Sequence, residues 1–130
     1  MINKILLPTL IVLSCLSGCA SVSSSSAQHV PESEQVSGEI YITMSAVPMS
    51  LGYEIIGHVK ANARKGYGSV ESLYPLLAEK AKKVGANAVI NVKGGRAPAA
   101  FSWAAPFTGG TAIKIDDIKK LEKYNGGYYN

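Results

Sequence analysis

The stretch from Ser69 to Lys93, SVESLYPLLAEKAKKVGANAVINVK, constrains the fold more than any other part of the chain. Val70, Leu73, Leu77, Ala81 and Val84 recur at three- and four-residue spacings, which lays one apolar stripe along a helix. Ser72 is a good N-cap that leaves Pro75 in the first turn, where a missing amide proton costs least; Ser69 is the alternative cap and would leave Pro75 at a kink. Lys80, Lys82 and Lys83 suit the negative end of the helix dipole, and Gly85 supplies the left-handed stop. A helix with a single stripe must bury it against another element. That element follows at once, because Ala86, Ala88, Ile90 and Val92 alternate along residues 86 to 93 as one side of a strand.

Three further segments read as strands. EIYITMSAV, residues 39 to 47, alternates through Ile40, Ile42 and Met44, with Tyr41 and Thr43 on the other side; Pro48 and Gly52 then mark a turn. YEIIGHVKANA, residues 53 to 63, sets Tyr53, Ile55, Gly57, Val59 and Ala61 against Glu54, Ile56, His58, Lys60 and Asn62. After a long Gly-, Ala- and Pro-rich connection, residues 94 to 110, TAIKI forms a short last strand. DDIKKLEKY suggests a brief helix capped by Asp116 or Asp117, and NGGYYN, residues 125 to 130, a loose tail. The β-β-α-β-β order predicts an α+β fold, with a mostly antiparallel four-stranded sheet and one main helix packed on one face.

The start of the chain carries a different message. Lys4 precedes a short apolar run, Ile5 to Leu16, which falls short of the ~20 residues a membrane-spanning helix needs. A basic start, a short apolar centre and small residues at the exit describe a secretory signal peptide, residues 1–18. Leu16-Ser17-Gly18-Cys19 resembles the bacterial lipobox, in which an aliphatic residue and two small ones precede an obligatory cysteine. The resemblance implies cleavage before Cys19 and acylation of its thiol and new amine. Ala20 follows where an aspartate would favour the inner membrane, so the enterobacterial sorting rule implies an outer-membrane anchor facing the periplasm. A disulfide between Cys15 and Cys19 is the weaker reading, since the two lie close together within the signal.

Cleavage leaves 130 less 18 residues, or 112, enough for one small domain and a tether. Thirteen Lys and Arg, less Lys4, against nine Asp and Glu give +3, which makes no case for nucleic acid. A lipidated Cys19 leaves no free thiol, so the domain must hold without disulfides. Residues 20 to 36, ASVSSSSAQHVPESEQV, read as the flexible tether behind Cys19, spanning roughly 20–25 Å as a coil. The domain is then residues 37–124.

YEIIGHVKA, the helix ending in AKKVGANAVINVK, and GTAIKI together resemble the YbjQ-like/RcsF-like superfamily of small α+β domains, over roughly residues 50 to 115. The sharpest piece, Gly85 to Val89, has a structural logic: a helix stop, small residues for close packing, and an asparagine able to tie backbone. The resemblance implies the fold and two functional themes, heavy-metal binding in ring-forming cytoplasmic members and envelope-stress sensing in an outer-membrane lipoprotein. The sensor's domain has disulfides and the mature chain here has no cysteine to make one, so only a lipid-anchored envelope domain of this fold carries over.

Enzyme chemistry finds no constellation. His29 and His58 belong to no H-E-x-x-H arrangement, and there is no G-x-S-x-G elbow. No enzyme activity and no cofactor is therefore expected. Gly66-Tyr67-Gly68-Ser69, beside Arg64 and Lys65, reads as an ordinary turn, or as backbone amides offered to an anion. Glu54 and His58 share a face of a regular strand, a weak metal candidate beside the plainer reading of two solvated side chains. The apolar stretch from residue 97 to residue 107 holds Phe101, Trp103 and Phe107. These either cover the sheet face that the helix leaves bare or form a contact surface for a second copy, an envelope partner protein or the lipid interface. The chain therefore reads as a non-enzymatic, lipid-anchored envelope protein working by protein–protein interaction, in sensing or assembly. The alternative is a lipoprotein that binds a small ligand or metal.

Overall fold

Apolar alternation and the helical stripe place the inner elements of the computed structural model, which describes residues 21–63, 68–99 and 102–130. In chain order these are β1 (Ser21–Ser25), β2 (Ile40–Thr43), β3 (Tyr53–Ala63), α1 (Tyr74–Lys83), β4 (Ala88–Ala99), β5 (Ser102–Ile115) and β6 (Gly126–Tyr129). The fold is α+β, with α1 on one face of a six-stranded sheet ordered β1-β3-β5-β4-β2-β6. It is not the four-stranded, mostly antiparallel sheet expected from the sequence. β2 and β4 pair in parallel, Tyr41 opposite Ala88 and Ile42 opposite Val89, because α1 carries the chain from β3 back across the sheet.

The two extra strands come from segments expected to be loose. The Ser-rich segment forms edge strand β1 on β3, with Ser21 opposite Ala63 and Ser25 opposite Val59. An edge strand needs backbone groups more than apolar side chains, so serines suffice. The following residues are also tied down. Ser26 exchanges bonds with His58, its amide donating to His58 O at 2.9 Å and its hydroxyl accepting from His58 N at 2.8 Å. The amides of Val30 and Val36 donate to the carbonyls of Lys83 and Lys82 in the last turn of α1, where Lys82 O also accepts from Gly85 N at 3.1 Å. Residues 21 to 36 are thus sewn to the domain. At the other end, β6 pairs with β2, Tyr128 opposite Tyr41 and Gly126 opposite Thr43, so the expected tail is the opposite edge strand.

Ser69 accepts from Ser72 N at 3.3 Å and caps a 3-10 turn, Val70–Leu73, that leads into α1 with Pro75 in its first turn. Gly85 has φ +83° and ends the helix as read. Asn87 then ties backbone, but across the sheet: its amide nitrogen donates to Ile115 O at 2.7 Å and its oxygen accepts from Ile115 N at 3.0 Å. Asp117, rather than Asp116, caps the last 3-10 turn, Ile118–Leu121.

Two cores result. Leu77, Ala78, Ala81 and Val84 of the helix segment pack on Ile40, Val59 and Val89. On the opposite face Tyr41, Ile90, Ile113 and Ile115 are roofed by Val47 and Leu121. This roof covers one end of that face only; the half towards the β4–β5 hairpin stays open.

The roof also sets a titration. Tyr128 packs edge-on against Tyr41 and donates to Glu122 Oε1 at 2.6 Å. That hydrogen bond, then burial, raises the phenol from its usual value near 10 to about 12. A raised folded-state value means that the stability from neutral Tyr128 is present below pH ~10 and lost as pH rises through ~12. Ultraviolet titration is expected to show a tyrosinate phase near pH 12 that vanishes in Tyr128→Phe and moves down in Glu122→Gln. An unchanged phase in Glu122→Gln would show that the carboxylate does not hold the proton.

Candidate functional site

The open half-face is built by β3, β5 and β4, and two bulges decide which side chains reach it. In β3 the register steps from Ile55 opposite Ile113 to Gly57 opposite Ala112. The extra residue reverses the alternation, as a bulge does. Beyond it His58, Lys60 and Asn62 stand on the open face, opposite Thr111, Gly109 and Phe107, while Val59 and Ala61 turn into the helix core. In β4 the register steps from Ile90 opposite Thr111 to Lys93 opposite Gly109. Within this second bulge Asn91 has φ +53°, a conformation asparagine tolerates better than most residues, and its amide donates to Ser45 O at 3.0 Å.

Between the strands runs a shallow groove of about 420 Å³. Gly109 forms its floor, with His58 and Lys60 on one wall and Asn91 and Lys93 on the other. Thr111 closes one end, and Phe107, 38% exposed, stands at the other with its ring against Gly95. His58 Nε2 and Lys60 Cγ lie 3.4 and 3.3 Å from the point where a side chain on Gly109 would begin, so the missing side chain is what opens the floor. The lining has two lysines and a histidine but no acidic side chain. Among the described residues the one ion pair is Lys83–Glu79 on α1, so Lys60 and Lys93 have no carboxylate partner there.

The residues singled out from the sequence fare differently. Phe107 joins His58 at the groove. Glu54 does not join them: it pairs with Lys114 ahead of the bulge and faces the helix side, where it borders a hollow with Ile56, Val84 and Gly85. Glu54 and His58 therefore stand on opposite faces, and the shared face that made them a metal candidate is undone by the extra residue. No group of three His, Cys, Asp or Glu able to hold a metal ion comes together among the described residues. Trp103 lies in β5, in what was expected to be a loop and is a hairpin. Cys19 and Phe101 lie outside the described residues.

Lys60, Asn62, Asn91 and Lys93 were not singled out. The first two were visible as the polar alternation of β3; the last two depend on a bulge that no residue pattern announces. No protein-family model matches the chain, and no curated protein and no solved structure matches it either.

Proposed function

We propose that the chain is a lipid-anchored protein of the bacterial cell envelope, held on the periplasmic side of the outer membrane by acyl chains on Cys19, and that it works by binding. Its open sheet face receives an acidic segment of a partner protein, and no bond is made or broken. The observation that carries this reading is the groove, with three basic side chains on its lining and no acid among them. An acidic partner supplies the missing complement, and such complementarity sets encounter rate and specificity. The lipobox resemblance supports the address, as does the lipid-anchored member of the superfamily that residues 50 to 115 resemble.

A photo-crosslinking side chain at Thr111 in the full lipidated chain, expressed in cells, tests it. We expect a discrete protein adduct, weakened at least about 10-fold, near 1.4 kcal/mol, by Lys60→Glu with Lys93→Glu. Both lysines are solvent-facing, so the melting temperature is expected to hold. An adduct indifferent to the charge reversal, or one with a second copy of the chain, would overturn the acidic-partner reading. A second reading, a small anionic ligand, is favoured by the bare floor at Gly109 and a volume within the range of ligand pockets. It predicts a melting temperature raised by a small carboxylate and unmoved in the same double variant.

A further inference from the structure

We infer that the groove selects, among acidic segments, an extended one that carries an aromatic side chain two residues from its carboxylate, on the side of Phe107. The inference rests on the acidic-partner reading of the groove and names which acidic segment fits.

Strand pairing sets the groove's side chains on rungs. Gly109 of β5 is opposite Lys60 on one side and Lys93 on the other. The two lysines therefore flank one point of the floor, their Cα atoms about 10 Å apart at two strand spacings. Lys60 leans inward, its Cγ 3.3 Å from where a side chain on Gly109 would begin. A carboxylate above Gly109 meets two ammonium groups and no competing acid on the lining. One rung further along β5, about 7 Å away, Phe107 stands between Asn62 of β3 and Gly95 of β4. Gly95 has no side chain, and the Phe107 ring lies over it, Cζ and Cε1 being 3.3 and 3.4 Å from where one would begin. Phe107 is still 38% exposed, so apolar surface remains for a ligand to cover. The rung on the other side of Gly109 is polar, Thr111 with His58.

These rungs suit an extended chain. A helix with its side chains is about 10–12 Å across, as wide as the gap between the backbones of β3 and β4, so it cannot settle on the Gly109 floor between their side chains. A strand can, and its same-face side chains recur about every 7 Å, the spacing of the rungs. A carboxylate held over Gly109 thus sets the next same-face side chain, two residues on, over Phe107. An aromatic ring gains there from buried area and from ring-on-ring contact. In the other direction it would meet the hydroxyl of Thr111 and the imidazole of His58. Asn62 and Asn91, on opposite walls at the two ends, each offer an amide donor and acceptor to the segment's backbone.

Short end-capped peptides, labelled with a fluorophore and otherwise Gly and Ser, test this by anisotropy against the full chain purified in detergent micelles. One carries Glu with Phe two residues after it, one the same pair reversed, one Glu with Ala for Phe, and one Gln with Phe. We expect at least one of the two orders to bind about 10-fold tighter than the Ala peptide, and the Gln peptide to lose a similar factor. In Phe107→Ala the Phe preference is expected to vanish while the Glu preference stays; in Lys60→Gln with Lys93→Gln the reverse. A Phe107 that merely supported the fold would weaken every peptide alike, and the preferences of the unaltered chain are read without any variant. Equal binding of the Phe and Ala peptides, with Glu still favoured over Gln, would overturn the Phe107 contact and leave the acidic-partner reading standing. No binding, or no preference for Glu over Gln, would overturn both.

Discussion

Leu77→Ala is expected to lower the unfolding free energy by about 2–5 kcal/mol. Leu77 is 0% exposed at the centre of the α1–sheet core, where Ala78, Ala81, Val59 and Val89 are also fully buried. Their side chains are short or branched and sit on elements fixed by hydrogen bonds, so they cannot follow a retreating leucine. The cavity term should therefore stand near its full size. Leu76, one residue earlier, is half-buried at the rim. Leu76→Ala should cost less than about 1.5 kcal/mol on area alone. Chemical unfolding of the two variants checks this. Equal losses would mean that α1 presents a different stripe to the sheet.

That stripe was readable because helix periodicity is local. So were the bounds of β3, Tyr53 to Ala63, which coincide with the strand expected from the sequence. What could not be read was where alternation reverses. Ile56 is an ordinary strand residue, and nothing in YEIIGHVKA says that two of its residues will oppose one of β5. The bulge is a property of the pair, settled by packing Tyr53 against the Ile113 and Ile115 cluster at one end and Val59 in the helix core at the other. A one-residue slip sends every later side chain to the other face, which is why Glu54 and His58 parted and why Lys60 reached the groove.

The edges were illegible for a different reason. β1 is mostly serine, and its pairing with β3 is carried by backbone groups that every sequence has. The outer halves of β4 and β5 are rich in alanine, glycine and proline, interrupted by Arg96, Ser102, Trp103 and Phe107, and show no apolar rhythm. The groove depends on both kinds of hidden feature. Its basic wall was in plain view at Lys60, but its floor is an absent side chain, and its far wall follows a second bulge at Asn91.

Gly109 and Gly110 carry this difference into a second experiment, since neighbours in one strand face opposite ways. Gly110 faces the helix core. A Cβ there would meet Ile90 O, Val89 Cγ1 and Val92 Cγ2, all at 2.8 Å, closer than such atoms approach. One of these is backbone and the other two are buried, so none can yield cheaply. Gly110→Ala is expected to cost about 1–3 kcal/mol or more through forced overpacking. Gly109 faces the groove, where a Cβ would meet Val59 O at 3.0 Å and two flexible side chains, Lys60 at 3.3 Å and His58 at 3.4 Å. Alanine also removes freedom from the unfolded chain, worth about 0.4–1 kcal/mol in its favour. Gly109→Ala should therefore leave stability within about 1 kcal/mol while raising the groove floor. If the groove is the binding face, crosslinking from Thr111 falls in Gly109→Ala with the melting temperature held. A fold as damaged by Gly109→Ala as by Gly110→Ala would place both glycines in packing and take the floor away from function.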